Sequence, residues 1–306
     1  MINIARFDLT SLRIFLIAAR EGSLTTAAEH IPITLSAASK RLTELEHAIV
    51  CPLFVRHARG LTLTPAGKAL YRHVERLISG LERMAREMDD FSQGIQGHIQ
   101  VWANTSSIIQ FLPQSLAGFS TQHPEIKIGL EEKLSHDIVN ALLNQQADLG
   151  IFAGNLPTQG LEVFTYRHDK LVLLTRDDHP LAVEEAVQFQ QILPYDFIGL
   201  NSGSSLLALL LDVASHQQQT LKLRIQVSSF DAVCHMVAAG MGVSVIPQNV
   251  ARSEVLDTKL CCIPLLDDWS TRRLLIGIPK NAELRAETRH LYEYLQQEAR
   301  ITLAVE

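Results

Sequence analysis

Small, hydroxyl and cationic side chains dominate residues 34–41, a segment whose composition suits contact with duplex DNA. Small and hydroxyl side chains let a helix lie deep in the major groove and contact base edges or thymine methyls, while Lys40 and Arg41 would neutralise phosphates. We expect DNA contacts from Ser23, at the start of the preceding helix, and from Thr34, Leu35, Ser36, Ala37, Ser39, Lys40 and Arg41.

A second polar group lies in two loops, residues 104–107 and 201–205, each of which follows a predicted strand and opens a predicted helix. In open α/β sheets, ligands bind beyond the carboxyl ends of the strands, often at helix N-termini. Ser, Thr and Asn are also favoured N-caps whether or not anything binds, so spacing alone leaves capping and ligand contact both open. The candidate ligand contacts in the two loops are Asn104, Thr105, Ser106, Ser107, Ser202, Ser204 and Ser205.

The elements around the first group are short helices followed by a hairpin. Apolar residues at helical spacing predict a first helix over residues 9–20, Ser23 begins a second that Pro32 closes, and Thr34 begins a third. Two strand-like pieces around Arg59 and Gly60 predict a hairpin wing. Arg56 and Arg59 on this wing would add contacts to the DNA backbone.

A long helix without internal proline is predicted from Pro65 to about Ser92. Apolar residues recur along it at alternating spacings of four and three, which indicates a heptad seam formed by Leu70, Val74, Leu77, Leu81, Met84, Met88 and Phe91. Such a seam favours dimerisation, although a helix lying on its own domain is the alternative. A two-fold dimer would place two recognition helices in successive major grooves, so we expect a roughly palindromic operator. Gly94 and Gly97 would end the helix.

The rest of the chain alternates strands and helices in two successive series, which predicts two α/β lobes with mostly parallel sheets and a cleft between them. The predicted strands cover residues 99–102, 126–130, 149–152, 197–200, 223–227, 243–246 and 272–279, and the predicted helices cover 108–119, 138–143, 206–214, 232–239 and 284–297.

Composition excludes several protein classes. The chain has 306 residues, 47% of them hydrophobic, so it can fold around sizeable cores. The longest apolar runs, residues 14–19 and 206–211, are too short to span a membrane. Four cysteines without zinc spacing favour a reducing cytoplasm. Residues 1–73 hold nine Lys and Arg against five Asp and Glu, whereas the whole chain has a net charge of −6, so the basic character is confined to the N-terminal segment.

An enzyme is not indicated. The sequence contains no GxSxG, HExxH, GxxxxGK[ST] or GxGxxG motif, and Gly240 and Gly242 form only a GxG that follows a helix instead of opening one. His235 lies next to Cys234, and adjacent side chains point apart, so a metal site is not indicated either. We predict no cofactor and no catalytic residues.

The N-terminal motifs together resemble the winged helix-turn-helix of LysR-type transcriptional regulators. The motifs are SLTTAA at 23–28, SKRL at 39–42 followed by LE at 45–46, PLFVR at 52–56 and LTPAG at 63–67. The family usually has Gln where Leu35 stands and Gly where Val50 stands, so this resemblance implies an unusual DNA preference and an altered turn after the recognition helix.

The C-terminal motifs resemble the LysR-family effector domain, which is itself similar to periplasmic binding proteins. They are residues 125–130, 147–151, 179–182 and 239–247. The resemblance implies that the two serine loops hold a small-molecule effector, and that Ser135 and Phe230 line further parts of the same cleft. No Arg or Lys lies in either loop, so a carboxylate effector would depend on amides and hydroxyls, or on an arginine elsewhere.

The sequence therefore predicts an α/β protein with an N-terminal all-α winged helix-turn-helix, and an effector domain of two Rossmann-like lobes similar to type 2 periplasmic binding proteins. We expect DNA binding over residues 1–64, a linker helix over 65–93 and an effector domain over 94–306, with lobe I about 98–165 and 270–306 and lobe II about 166–269. The expected function is a cytoplasmic, dimeric or tetrameric transcriptional regulator.

The expected partners are double-stranded DNA, a small-molecule effector and further copies of the chain, with contact to RNA polymerase left open and no membrane. The alternative is a ligand-binding module of the periplasmic type whose DNA-binding head is vestigial. The four cations of that head, Lys40, Arg41, Arg56 and Arg59, argue against this alternative.

Overall fold

In the computed structural model, residues 7–57, 60–92, 97–255, 259–280 and 283–304 are described, and the chain forms two compact units that divide near Asp89. The elements of the first unit are α1 (Leu9–Glu21), α2 (Leu24–His30), α3 (Leu35–Ile49), β1 (Phe54–His57), β2 (Gly60–Leu63) and most of α4 (Pro65–Ser92). The expected hairpin is present, since β1 pairs with β2 in antiparallel register.

The first three helices begin where side chains can satisfy free backbone amides. Asp8, Ser23 and Thr34 are the N-caps of α1, α2 and α3, and each side chain accepts a hydrogen bond from the backbone N–H three residues later. Gly22 ends α1 at φ 64°, in the left-handed region where glycine carries no steric cost. The helix starts expected from the sequence are thus confirmed.

The core of the first unit joins the three short helices, the hairpin and α4. Phe15, Leu42 and Leu53 are fully or almost fully buried. Val74 and Ile78 of α4 belong to the same cluster, with exposed fractions of 3% and 6%. The first half of α4 therefore packs on its own domain.

Val50 ends α3 in an unusual conformation. Its φ of 63° lies in the left-handed region, and its side chain is 82% exposed. A β-branched residue thus forms this turn, although the left-handed region is sterically unfavourable for it.

The second unit contains eight α-helices, two short 3-10 helices (Pro180–Val183 and Asp268–Ser270) and nine strands among its described residues. The helices are α5 (Thr105–Gln110), α6 (Leu112–Gln122), α7 (Ser135–Leu143), α8 (Phe189–Ile192), α9 (Ser205–His216), α10 (Phe230–Ala238), α11 (Gln248–Val255) and α12 (Ala286–Leu303). The strands are β3 (Gly97–Ala103), β4 (Ile126–Glu132), β5 (Leu149–Ala153), β6 (Leu161–Arg176), β7 (Phe197–Leu200), β8 (Leu223–Val227), β9 (Ser244–Pro247), β10 (Leu260–Pro264) and β11 (Thr271–Pro279).

The strands form two lobes that share the long strand β6. In lobe I, the order is β4-β3-β5-β11-β6, and β11 pairs with β6 over residues 161–170. From Leu171 onward β6 pairs with β9 and β10, which belong to lobe II together with the parallel pair β7 and β8. The chain therefore crosses between lobes inside β6, at Lys170 and Leu171, and returns between β10 and β11.

Two expectations about this unit are corrected. The sheets are mixed, not mostly parallel, because β6, β10 and β11 run antiparallel to their neighbours. The single helix expected over residues 108–119 is two helices, α5 and α6, that meet at Phe111, with Pro113 in the first turn of α6. Strands β6 and β10 and helices α8 and α11 were not predicted.

Each lobe has its own hydrophobic core. Ile99, Leu149 and Leu291 are fully buried in lobe I, and Phe197 and Val243 are fully buried in lobe II. The break expected at Gly94 lies outside the described residues, and Gly97 begins β3. Among the helices that the structure describes, none has both the length and the apolar character needed to cross a bilayer.

Candidate functional site

Helix α3 presents the expected residues on the side opposite its buried residues. Ala38, Leu42 and Leu45 are buried against the core, whereas Leu35, Ser36 and Lys40 are exposed and Ala37, Ser39 and Arg41 are half-buried. Thr34 and Ser23 cap their helices, so their hydroxyls already accept backbone hydrogen bonds. Leu35 is 48% exposed, so an apolar side chain lies among the hydroxyls on this side of α3.

The two cations of α3 differ in their partners. Arg41 donates a hydrogen bond of 3.0 Å to Oδ1 of Asp8, the N-cap of α1. Lys40 is 3.9 Å from the carboxylate of Glu44, a weak and exposed pair. Burial acts to raise the pKa of Asp8, but hydrogen bonds from Ser11 and the charge of Arg41 outweigh it and hold that pKa below its usual value.

On the wing, Arg56 is exposed on β1. Arg59 lies outside the described residues. On the same hairpin, His57 Nε2 of β1 lies 3.0 Å from Thr62 Oγ1 of β2, so a side-chain hydrogen bond joins the two strands. Arg56 is therefore carried on a short, internally bonded hairpin.

The expected seam of α4 divides into two parts. Leu70 and Val74 were expected to meet a second chain, but they pack into the core of their own domain, because this end of α4 completes the head. Leu77, Met84 and Met88 are exposed and Leu81 is half-buried. For Phe91 only the backbone, within α4, is described.

A chain of hydrogen bonds links the helix starts of lobe I to that of lobe II. Asn104, the N-cap of α5, accepts a hydrogen bond of 3.0 Å from the backbone N–H of Ser107 and donates one of 3.3 Å to Ser135 Oγ. Ser135 Oγ also accepts one from Ala153 N at 3.2 Å and donates one to Ser205 Oγ at 3.4 Å. Ser135 begins α7 in lobe I and Ser205 begins α9 in lobe II, so the cleft expected between the loops is bridged here.

A buried ion pair lies behind α5. Arg272 and Asp169 are 8% and 1% exposed and face each other in the register of β11 and β6, with Arg272 Nε 2.8 Å from Asp169 Oδ2. Arg272 also donates to Ser106 Oγ at 2.6 Å, and Gln110 donates to Asp169 Oδ1 at 3.1 Å. The ion pair thus connects α5 to the strands that join the lobes.

Sequence reasoning missed this pair because β6 was not predicted. Asp169 and Lys170 directly precede the buried run LVLLT at 171–175. This apolar run, with charged residues at its start, was the pattern from which a strand could have been predicted. Their partners on β11 are far away in sequence, so only the strand register brings them together.

The other expected effector residues take different positions. Thr105 Oγ1 donates to Glu132 at 2.5 Å, and Ser204 caps α9 by accepting from Leu207 N at 3.1 Å. Ser202 is exposed. Phe230, expected to line the cleft, is 1% exposed within the lobe II core, because the first residue of α10 points inward there.

A cavity of about 220 Å³ opens where the lobes and the crossing segment meet. Its polar lining is formed by Asn155, Ser205, Thr271, Arg272 and Arg273. Its apolar lining is formed by Ala153, Gly154, Leu209 and Trp269. Trp269 is held edge-on against Phe189, with ring centroids 5.2 Å apart.

Two family models match the chain. Residues 9–68 match the bacterial regulatory helix-turn-helix protein of the lysR family, and residues 92–300 match the LysR substrate binding domain. Among curated relatives, a probable RuBisCO transcriptional regulator of Synechocystis sp. is 28% identical over 299 residues, which cover 95% of this chain and 86% of that protein.

Solved structures show the same fold. Full-length CbnR in complex with its target DNA superposes with a TM-score of 0.67 at 16% identity, covering 95% of this chain and 99% of that one. The regulatory domain of CcmR from Synechocystis PCC6803, solved in complex with 2-PG, superposes with a TM-score of 0.62 at 23% identity, covering 67% of this chain and 98% of that domain. With a helix-turn-helix head and an effector-binding domain that together span most of its length, this chain belongs to the LysR family of DNA-binding transcriptional regulators.

Proposed function

We propose that α3 enters the major groove and that Leu35, Ser36, Ala37 and Ser39 contact base edges, with Lys40 on the phosphates. Their exposure, on the side of α3 opposite its buried residues, supports this assignment. The exposed Arg56 adds a backbone contact from the wing. Arg41 contributes less charge than Lys40, because one N–H of its guanidinium is already bonded to the carboxylate of Asp8.

The chain dimerises through the exposed part of α4. Leu77, Met84 and Met88 recur at heptad spacing, and an exposed apolar stripe on a long helix is favourably buried against a second copy. A dimer places two copies of α3 on one operator, so the operator is roughly palindromic. We place this regulator in the cytoplasm, where its DNA is.

The effector binds in the cleft between the lobes of the second unit and alters DNA binding by changing how the lobes meet. The observation that carries this proposal is the hydrogen bond between Ser135 and Ser205, which joins helix starts of different lobes. A ligand that binds there competes with this bond, so it favours one arrangement of the lobes. Effector and operator then change each other's affinity by the same factor.

The test is a fluorescence anisotropy titration of the purified protein against its own upstream intergenic DNA, with salt varied and unrelated duplex as competitor. 2-PG is the first effector to add, because a structural relative was solved with it. Tight, competitor-resistant binding that a small molecule shifts supports the proposal. Binding no stronger than to unrelated DNA would instead favour a ligand-binding protein with a vestigial head.

A further inference from the structure

The cavity between the lobes is cationic. Of the nine residues that line it, two are arginines and none is acidic. The neighbouring cavity of about 450 Å³, which also contacts Trp269, has the opposite character, since Asp267 and Asp268 line it. The positive charge is therefore a local property of the interlobe cavity.

The two arginines of the cavity do not contribute equally. Arg272 is buried and its charge is neutralised by Asp169. Arg273 is exposed, and among the residues that the structure describes it has no ion-pair partner. The uncompensated charge of the cavity is thus that of Arg273, and guanidinium groups bind carboxylates and phosphates through paired, charge-assisted hydrogen bonds.

The remaining lining sets the size and shape of a ligand. Trp269 and Leu209 offer an apolar wall, while Asn155 and Ser205 offer an amide and a hydroxyl. A volume of about 220 Å³ is below the range of about 300–1,000 Å³ for drug-sized ligands. The cavity therefore suits a metabolite smaller than a typical drug.

We propose that the effector of this regulator is a small organic anion, a carboxylate or phosphate ester, whose charged group pairs with Arg273 while its carbon skeleton packs on Trp269 between the two lobes. This assignment rests on the proposed effector function of the cleft. Ser205 lines the same cavity and holds the bond to Ser135, so a bound anion lies directly beside the bridge between the lobes.

The chain offers its own optical probe for the test. It has two tryptophans, and Trp102→Phe leaves Trp269 as the only one. Nε1 of Trp102 has no hydrogen-bond partner among the described residues, so this change removes no hydrogen bond there. Full-length Trp102→Phe protein is titrated with succinate, benzoate and glycerol 3-phosphate, and with the neutral succinamide, benzamide and glycerol. Calorimetry on the chain with both tryptophans repeats each titration independently of that variant.

We expect at least one anion to change Trp269 fluorescence saturably, and its neutral counterpart to bind at least roughly ten-fold more weakly, as one lost charge-assisted interaction implies. We expect Arg273→Gln to raise the dissociation constant of the anion by a similar factor. Arg289→Gln is the matched control, because it removes the same charge from an exposed position on α12 outside the cavity, and it leaves the dissociation constant within about two-fold. The titrations with succinate and benzoate, compared with glycerol 3-phosphate, show whether the site prefers a carboxylate or a phosphate ester.

Equal binding of the neutral compounds, an unchanged dissociation constant in Arg273→Gln, or no response to any anion at millimolar concentration would overturn the proposal. Operator binding measured in parallel separates this proposal from the effector function on which it rests. If a neutral compound shifts operator affinity, the effector function of the cleft stands and the proposal of an anionic effector is wrong. If an anion binds through Arg273 and does not shift operator affinity, the anion site stands and the proposed effector function is wrong.

Discussion

Arg41, on the helix that we assign to the major groove, donates a 3.0 Å hydrogen bond to the carboxylate of Asp8, the N-cap of α1. The carboxylate of Asp8 therefore partly neutralises the positive charge that Arg41 could offer to a DNA phosphate. We predict that Asp8→Asn raises operator affinity by about two- to five-fold, because it frees Arg41 while asparagine still caps α1. Anisotropy titrations at several salt concentrations measure the change.

Arg56→Ala is the contrasting variant in that assay. It removes an exposed cation, so binding weakens for all sequences and the salt slope falls by about one. An Asp8→Asn protein whose affinity and salt slope equal those of the natural chain would show that Asp8 does not limit the contact between Arg41 and the DNA.

Leu35 is a large apolar residue that is 48% exposed on the helix that we assign to the major groove. Because an exposed leucine can contact only the apolar parts of a base pair, we predict that it reads a thymine methyl in each half-site. Replacing that thymine by uracil removes the methyl alone and should lower affinity about three-fold, roughly the effect of one methyl group. Scanning each operator thymine in turn locates the position.

Leu35→Ala provides the control for the uracil scan. In this variant the thymine and uracil duplexes should bind equally, because the side chain that contacts the methyl is gone. If natural and Leu35→Ala proteins lose the same affinity at every uracil, Leu35 has no role in reading the sequence.

Val50 holds a left-handed conformation that suits glycine. We predict that Val50→Gly raises the free energy of unfolding of the first unit by about 1 kcal/mol, since relief of strain outweighs the larger entropy of the unfolded glycine chain. Urea unfolding measures this difference. Val50→Ala keeps a Cβ, so its free energy of unfolding should rise only slightly. An equal rise in both variants would show that the effect comes from removing the exposed apolar side chain and not from relief of backbone strain.

Met84 is 53% exposed on the distal part of α4. If this part forms the dimer contact, Met84→Glu places an unpaired carboxylate in the interface from each copy, at about 2 kcal/mol apiece, and weakens the dimer roughly a thousand-fold. Light scattering after size-exclusion chromatography reports the mass. Met84→Leu, which stays apolar, should remain dimeric, and a dimeric Met84→Glu protein would place the contact elsewhere.

The head was largely predictable because its determinants are local. Asp8 is the one N-cap of the first three helices that the sequence did not single out, whereas Ser23 and Thr34 were recognised from residue type and position. The seam on α4 was harder, because heptad spacing shows that a face is apolar without showing what covers it. The same helix buries Val74 in its own domain and exposes Met84.

The cleft was only partly predictable. Hydroxyl-rich helix starts identified Asn104 and Ser205, and the structure connects them through Ser135. Arg272 and Asp169 meet through the register of β11 and β6, a contact between distant segments that no local pattern encodes. Phe230 was misplaced because the sequence does not show which way the first residue of α10 points.

The central claim, that the contact between the lobes controls DNA binding, can be measured without knowing the effector. The Oγ atoms of Ser135 and Ser205 are 3.4 Å apart, close enough for a Ser135→Cys, Ser205→Cys variant to form a disulfide across the cleft. Its operator affinity is compared in oxidised and reduced forms, with mass spectrometry confirming the bond and Ser135→Cys alone as the control for the native cysteines. We predict at least a five-fold difference, reversed by reductant, within the usual range of allosteric coupling. Identical affinities with the bond fully formed would contradict the account.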